Sequence, residues 1–512
     1  MFVCINTGAN IGIEARVVTV EANVLERGIG LYMVGLPDNT IKESIERINA
    51  AFENSAFRLL SKKIVVNLAP ADLRKEGSHY DLPIAIAILI ATEQLPMEIL
   101  VQPLAETMFI GELSLNGTLR PVSGVLPIVD MARHNGIKRI FMPRENVAEG
   151  AVVEGIEIIG ASSLLEVCEM LRGNRAMEPA QCSTIAITEI VSGSYAEDFA
   201  DVKGQPHVKR ALEIAAAGGH NVIMIGSPGS GKTMLARRMP TIMPPMTIEE
   251  SLQTTKIHSV AGKVGAHHGL ITERPFRAPH HLTSHVALIG GGQTPQPGEV
   301  SLANNGVLFL DEMPEFGRSV LEVLRQPLEE RHITISRAKY AVDYPANFML
   351  IAAMNPCPCG YYNHPTKECS CSAAAVHRYK RHISGPLMDR IDIHIEVAPL
   401  TVEELSRAGV GESSATIRER VIAARARQQE RFRNLDIHCN AMMNSAMLRT
   451  FAALDKNSSA LLEQAMCRLN LSARAYDRII KVARTIADLE GKTYIEPQHI
   501  SEAIGYRSLD RE

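Results

Sequence analysis

Gly226-Ser227-Pro228-Gly229-Ser230-Gly231-Lys232-Thr233 is the stretch on which the fold turns. An apolar run, Val222-Ile223-Met224-Ile225, leads into it, and Met234-Leu235-Ala236-Arg237 leaves it as the start of a helix. Strand, glycine-rich loop and helix in this order are the setting of a phosphate loop. Its backbone N–H groups curl around phosphate oxygens, and the helix N-terminus adds partial positive charge. Lys232 then reaches the β- and γ-phosphates while the Thr233 hydroxyl ligands Mg²⁺. The spacing and flanks predict a nucleoside-triphosphate site.

Two downstream strands complete that expectation. Gly306-Val307-Leu308-Phe309-Leu310-Asp311-Glu312 is an apolar strand ending in two carboxylates, the form of a Walker B site. Asp311 is expected to hold the Mg²⁺ shell and Glu312 to orient or deprotonate the attacking water. Phe348-Met349-Leu350-Ile351-Ala352-Ala353-Met354-Asn355 is a second buried strand, and its terminal amide, Asn355, suits a sensor that holds that water.

Composition sets outer limits. The 512 residues predict roughly three domains of ordinary size. With 46% hydrophobic and 21% charged residues the chain reads as a soluble globular protein. A net charge of −4 makes any nucleic-acid contact local, as in a pore, and not a matter of bulk charge. The most apolar run, residues 82–91, is too short to cross a bilayer and reads as a core helix opened by Pro83, so no membrane partner is expected. Of nine cysteines, four crowd into 357–371 and the rest scatter, unlike a secreted disulfide framework; a reducing cytoplasm is the expected location.

Residues 1–175 alternate strand-like runs with helical patterns such as 39–52. Glu76-Gly77-Ser78-His79-Tyr80-Asp81-Leu82-Pro83 and Phe109-Ile110-Gly111-Glu112-Leu113-Ser114-Leu115-Asn116-Gly117, continuing to Pro121-Val122-Ser123-Gly124, together resemble the proteolytic domain of Lon protease. That resemblance implies a Ser–Lys dyad, in which a lysine of lowered pKa activates the serine. Ile84 stands at the nucleophile position and Leu126 at the lysine position, and an aliphatic chain does neither job. A scaffold or docking role is expected of this region.

Past the phosphate loop, 73 residues separate Thr233 from Val307, more than a strand crossover needs. The excess near 256–298 carries His267, His268, His280, His281 and His285. They read either as metal ligands, for which backing carboxylates are sparse, or as part of a mobile substrate-facing loop with Arg274 and Arg277 as its cations. A helix over 320–330 and a hairpin over 331–342 follow, the hairpin's exposed face carrying Arg337 and Lys339 for phosphate contacts unless it is simply solvated. Cys357, Cys359, Cys369 and Cys371 offer four thiolates within 15 residues, enough for one tetrahedral Zn²⁺; reactive or merely structural thiols are the alternative. Arg390, in Leu387-Met388-Asp389-Arg390-Ile391-Asp392, is placed to act as an arginine finger on a neighbouring subunit, or else as a core ion pair. From Thr401 onward the chain is helical. Residues 417–434 set six arginines against two glutamates, as an exposed arm, a DNA-facing helix or a solvated helix. Ser472 caps a further helix, and Arg474 suits a second sensor.

These motifs, with Arg274-Pro275-Phe276-Arg277-Ala278-Pro279-His280-His281 and Asn355-Pro356-Cys357-Pro358-Cys359-Gly360, resemble together the ComM/YifB family, AAA+ proteins related to the ATPase subunit of magnesium chelatase. Individual pieces recur across the helix-2-insert clade that includes the replicative MCM helicases. The resemblance implies an α/β fold: a three-layer P-loop AAA+ domain with a helical lid, behind an α+β Lon-like domain. The expected boundaries are 1–175 for the Lon-like domain, 176–195 for a linker, 196–398 for the ATPase core with helix-2 insert and cysteine cluster, and 399–512 for the lid. It further implies a homohexameric ATP-driven motor on single-stranded and branched DNA that promotes branch migration in recombination and integration of transforming DNA. Loops 274–297 and 331–341 would line the pore. Rival readings are a chelatase-like motor remodelling a partner enzyme, an ATP-dependent protease, and an ATP-switched scaffold without turnover.

Overall fold

A computed structural model describes residues 1–180, 195–265, 269–292, 295–337, 340–400, 411–469, 471–507 and 509. His267, His268 and Lys339 lie outside the described residues, as do most of the expected linker and the side chain of Arg337. The chain divides into two compact units, Met1–Glu189 with Ile248–Ile271, and Ile190–Thr247 with Thr272–Glu512.

The first unit is built on a seven-stranded sheet. Its strands are β1 Phe2–Ile11, β2 Glu14–Leu25, β3 Gly30–Val34, β4 Lys63–Ala69, β5 Thr107–Phe109, β6 Arg139–Pro143 and β7 Glu157–Ala161, in the order β3-β4-β2-β1-β5-β6-β7. The β1–β2 and β2–β4 pairs are antiparallel and the rest parallel. Along β2, Val18, Val20 and Ala22 are buried while Thr19 and Glu21 are only partly so, the alternation of a sheet packed mainly on one face. The helix Asp81–Ala91 is apolar all round after its first residue and buried at every position.

Ile84 on that helix and Leu126 on the helix Val125–His134 are both fully buried, in separate hydrophobic clusters. The expected dyad positions are therefore packed into core. The helix Ile248–Val260 clusters with this unit although it follows the phosphate loop in sequence. Leu252 packs on the cluster around Leu126, Lys256 pairs with Asp130 at 2.6 Å, and the Ser259 hydroxyl donates to buried Glu149. The start of the excess near 256–298, read above as metal ligands or as a mobile substrate-facing loop, thus belongs to the first unit as far as Ile271.

The second unit holds a five-stranded parallel sheet: β8 Val222–Ile225, β9 Phe276–Arg277, β10 Val307–Leu310, β13 Met349–Met354 and β14 Ile393–Glu396, in the order β9-β10-β13-β8-β14. β8, β10 and β13 are buried at every residue, as expected when both faces of a parallel sheet are covered. Between β10 and β13 stands the expected hairpin, β11 His332–Arg337 and β12 Tyr340–Pro345. The helix expected over 320–330 is instead two short ones, Arg318–Glu322 and Arg325–Glu330, with Pro327 in the first turn of the second, where its missing N–H costs nothing. Helices Ser414–Arg431 and Ala473–Leu489 share one core with the sheet.

The arginine-rich helix Ser414–Arg431 is neither an arm nor freely solvated. Arg420 bonds Glu213 and Glu412, Arg425 donates to the Ala216 carbonyl at 2.9 Å, Arg427 to the Asp488 carbonyl at 2.8 Å, and Arg431 to the Asp488 carboxylate. Most of its cations fasten it to the rest of the unit. No helix among the described residues is long and apolar enough to cross a membrane.

Candidate nucleotide site

The order β10-β13-β8 brings three chemical groups to one sheet edge. Residues leaving the carboxyl ends of neighbouring parallel strands converge in the crevice beyond them. Ile225 is in register with Met354, and Ala352 with Leu310, so the phosphate loop, Asn355 and Asp311-Glu312 emerge side by side. The Gly226 amide donates to the Met354 carbonyl at 3.2 Å, tying the loop's first residue to the central strand.

Within the loop, Gly229 and Gly231 have φ of +78° and +91°, the left-handed region open to glycine. At Gly226 the constraint is space: an added Cβ would lie 2.4 Å from the Val397 carbonyl oxygen. Lys232 is nearly buried, and its Nζ donates to the carbonyls of Gly226 (2.7 Å) and Ser227 (3.1 Å) and to Asn355 Oδ1 (3.3 Å). Burial lowers its pKa, while Asp311 and Glu312 act the other way. Thr233 Oγ1 donates to Asp311 Oδ2 at 2.7 Å, so two hard oxygen donors of the kind that suit Mg²⁺ face each other. Ser227 and Ser230 are buried, and among the described residues their hydroxyls have no hydrogen-bond partner. Orphaned buried hydroxyls beside curled amides and a buried ammonium suit a phosphate chain.

Glu312 adopts left-handed backbone (φ +51°), its amide bonds Asp311 Oδ1 at 3.0 Å, and its exposed carboxylate lies 3.6 Å from His281 Nδ1. Backbone strain of this kind persists where a side chain must be aimed.

The remaining expected site residues are spread more widely. Arg390 is buried, pairs with Glu329 and donates to the Pro386 carbonyl. Arg474 is exposed and pairs with Asp389 at 2.9 Å, which joins the lid helix to the segment bearing Arg390. Arg274 and Arg277 are not presented as cations of a loop tip. Arg274 donates to the carbonyls of Pro244, Pro245 and Asn305, and Arg277 grips both oxygens of Glu299. Both brace the base of the insert, because a guanidinium's planar fork satisfies several acceptors at once. The rings of His280 and His281 lie 4.1 Å apart, tilted by 35°, and the cysteine cluster is the one potential metal-ligand group found among the described residues.

The four sulfurs of Cys357, Cys359, Cys369 and Cys371 all lie within 4.8 Å of one another, with Cys357–Cys359 at 3.3, Cys359–Cys369 at 3.5 and Cys357–Cys369 at 3.7 Å. These separations exceed a disulfide bond and approach the edge of a ZnS₄ tetrahedron, about 3.8 Å for Zn–S near 2.3 Å. The donor set fits a soft divalent metal.

Two features had little sequence signal. Gln205 (φ +54°) donates from Nε2 to the carbonyls of Ser230 and Ala398, bracing the phosphate loop from below. Buried Asp392 accepts from Arg478 (2.8 Å) and the Asn221 amide (3.2 Å) and lies 3.3 Å from His220, whose other nitrogen meets Thr485 Oγ1 at 2.8 Å. Burial alone would raise the Asp392 pKa; Arg478 and His220 hold it well below the usual carboxylate range. The network fastens the lid helix Ala473–Leu489 to the sheet, and only the tertiary pairing of residues about 90 and 170 positions apart reveals it.

The family described as "Magnesium chelatase, subunit ChlI" matches residues 198–405, "Subunit ChlI of Mg-chelatase" matches 20–146, and "Magnesium chelatase, subunit ChlI C-terminal" matches 411–507. The chain is 44% identical over 512 residues to the competence protein ComM of Haemophilus influenzae, covering 98% of this chain and 97% of that protein. It is 43% identical over 510 residues to the protein YifB of Escherichia coli, covering 99% and 97%. A 140-residue stretch, 27% of this chain, is 28% identical to Lon protease 2 of Bacillus subtilis, of which it covers 24%.

Proposed function

For this chain, which belongs to the ComM/YifB family of magnesium-chelatase-related AAA+ proteins, we propose an ATP-hydrolysing DNA motor that works as a homohexamer on single-stranded and branched DNA. The observation that carries the reading is the double junction at the sheet edge, Lys232 to Asn355 and Thr233 to Asp311. It brings phosphate-binding, metal-binding and water-orienting groups to one place. Thr233 and Asp311 would hold Mg²⁺, which when bound with nucleotide neutralises charge on the phosphates. Lys232 counters charge on the transferred phosphoryl group, Asn355 orients the attacking water, and Glu312 accepts its proton. Arg390 leaves Glu329 and serves the next subunit's γ-phosphate, and Arg474 carries the change to the lid. The thiolate cluster holds one Zn²⁺.

The name of the Haemophilus relative favours a place in competence, where such a motor would drive branch migration as incoming DNA is integrated. Arg274 and Arg277 shape the insert facing the DNA, and Arg337 and Lys339 supply charge at the hairpin. A chelatase-like motor acting on a partner protein is the competing reading, supported by the ChlI descriptions along the chain. The deciding experiment compares ATPase rates with and without single-stranded and junction DNA, alongside junction unwinding. Stimulation by DNA, lost in Arg390→Ala, is the expected result. Full turnover by a monomer indifferent to polynucleotide would remove the motor, and full turnover by Arg390→Ala would remove the finger.

A further inference from the structure

Between β13 and the helix Ala373–Lys380 lie eighteen residues without helix or strand, of which only Cys357 and Gly360 are buried. A loop of that length has too little core to hold itself and needs another constraint. The cysteines supply one, since all four sit inside this loop. Backbone amides already face the sulfurs: Tyr362 N–H donates to Cys357 Sγ at 3.3 Å and Cys359 N–H to Cys371 Sγ at 3.4 Å. Such donors orient and stabilise thiolates that ligate a metal.

The loop also presses on the ATP site at both ends of its first turn. Asn355, whose Oδ1 receives Lys232, is two residues before Cys357. Gly360 closes the turn with its amide on the Cys357 carbonyl (3.0 Å) at φ +85°, and a Cβ there would stand 2.6 Å from Cδ of Pro228 in the phosphate loop. From the helix after the cluster, the Tyr379 hydroxyl hydrogen-bonds the backbone of Asn355.

We propose that the thiolate site is a clamp on the nucleotide loop. One Zn²⁺ on Cys357, Cys359, Cys369 and Cys371 fixes the turn Asn355–Gly360 against Pro228, and loss of the metal loosens ATP binding. The inference rests on the zinc reading above and adds a control point on the ATPase.

The test uses the full chain purified with Zn²⁺ present. Bound zinc is measured by mass spectrometry, and affinity by fluorescence of a methylanthraniloyl ATP. The wild type should carry one zinc per chain. A Cys359→Ser/Cys371→Ser variant should lose the zinc and bind the nucleotide at least tenfold more weakly, with an unchanged far-ultraviolet spectrum. Gly360→Ala should keep its zinc and still bind tenfold more weakly, because the contact fails although the metal stays. Wild-type nucleotide affinity in the zinc-free double variant overturns the clamp while leaving the zinc site standing. A wild-type chain without zinc overturns the zinc site and the clamp together. Should the double variant fail to fold, unchanged affinity in Gly360→Ala overturns the clamp.

Discussion

The buried acids of the Lon-like unit and the phosphate-loop groups of the ATPase unit are handled in opposite ways. In the first, the two positions expected for a dyad are aliphatic and sealed in core, and the buried acids are used up by architecture. Asp81 accepts from Arg47 (2.7 Å), Ser44 and the Leu113 amide, and Glu149 accepts from Ser259 and the Leu126 amide (2.9 Å). In the second, Lys232 leans on carbonyls and on Asn355, and Ser227 and Ser230 keep buried hydroxyls unpaired among the described residues. A buried polar group that is fully answered within the fold specifies structure; one left open beside glycine amides marks a place for ligand. The contrast predicts that equal changes will separate activity from stability in the two units.

The largest effect is expected at Lys232. Lys232→Ala removes a cation that counters charge on the transferred phosphoryl group, and turnover should fall about a thousandfold. Its Nζ partners are carbonyls and one amide, so no buried charge is stranded and the melting temperature should move little. A variant that melts far lower and binds nucleotide normally would show Lys232 to be structural, like the buried charges of the first unit.

Arg47 is the converse. Arg47→Ala strands the Asp81 carboxylate in the core, which costs about 3 kcal/mol when a buried pair loses one member. Hydrogen exchange should locate that loss in the first unit, with ATP affinity retained. Unchanged stability would mean that Ser44 and the Leu113 amide alone satisfy Asp81.

How much of this was legible in the sequence follows the range of the interactions. Gly226 through Thr233, the apolar strands and the carboxylate pair at 311–312 are local patterns, and they specify the site because parallel strands deliver their ends to one edge. The cysteine cluster was legible for the same reason, four ligands lying within 15 residues. What was hidden depends on partners far apart in sequence. The arginines of the helix Ser414–Arg431 read as free charge until Glu213 and Asp488 meet them, and Arg274 and Arg277 read as loop cations until the carbonyls of 244, 245 and 305 and the carboxylate of Glu299 do. The docking of the helix Ile248–Val260 into the first unit had no local signal, since its buried positions, Ser251, Thr254, Thr255, Ile257, His258 and Ser259, are mostly polar and form no apolar stripe.

Acid distinguishes the units by the smallest margin and in a definite direction. Burial lowers the pKa of His220 against the opposing pull of Asp392, and lowers that of His394 well below its ordinary value, with Arg507 adding to the shift. In the first unit, burial lowers His79 to about 4. A histidine whose folded pKa is depressed takes up its proton first in the unfolded chain, so its stabilisation is intact above about pH 6.5 and is lost as pH falls, by about 1.4 kcal/mol per pH unit. Two such groups act in the ATPase unit and one in the Lon-like unit. Glu149 works the other way, because burial raises its pKa and its protonation in the fold recovers stability on acidification. Asp392, held low, adds a further loss to the ATPase unit below about pH 4. By pH 5 the ATPase unit should have lost more stability than the Lon-like unit. Hydrogen exchange followed by peptide from pH 7 to 5, corrected for intrinsic rate, should show the sheet and lid peptides of the ATPase unit deprotecting first. Earlier deprotection of the Lon-like unit would mean that the buried histidines do not set the order, and that the seam joining His220, Asp392 and Arg478 tolerates an added proton.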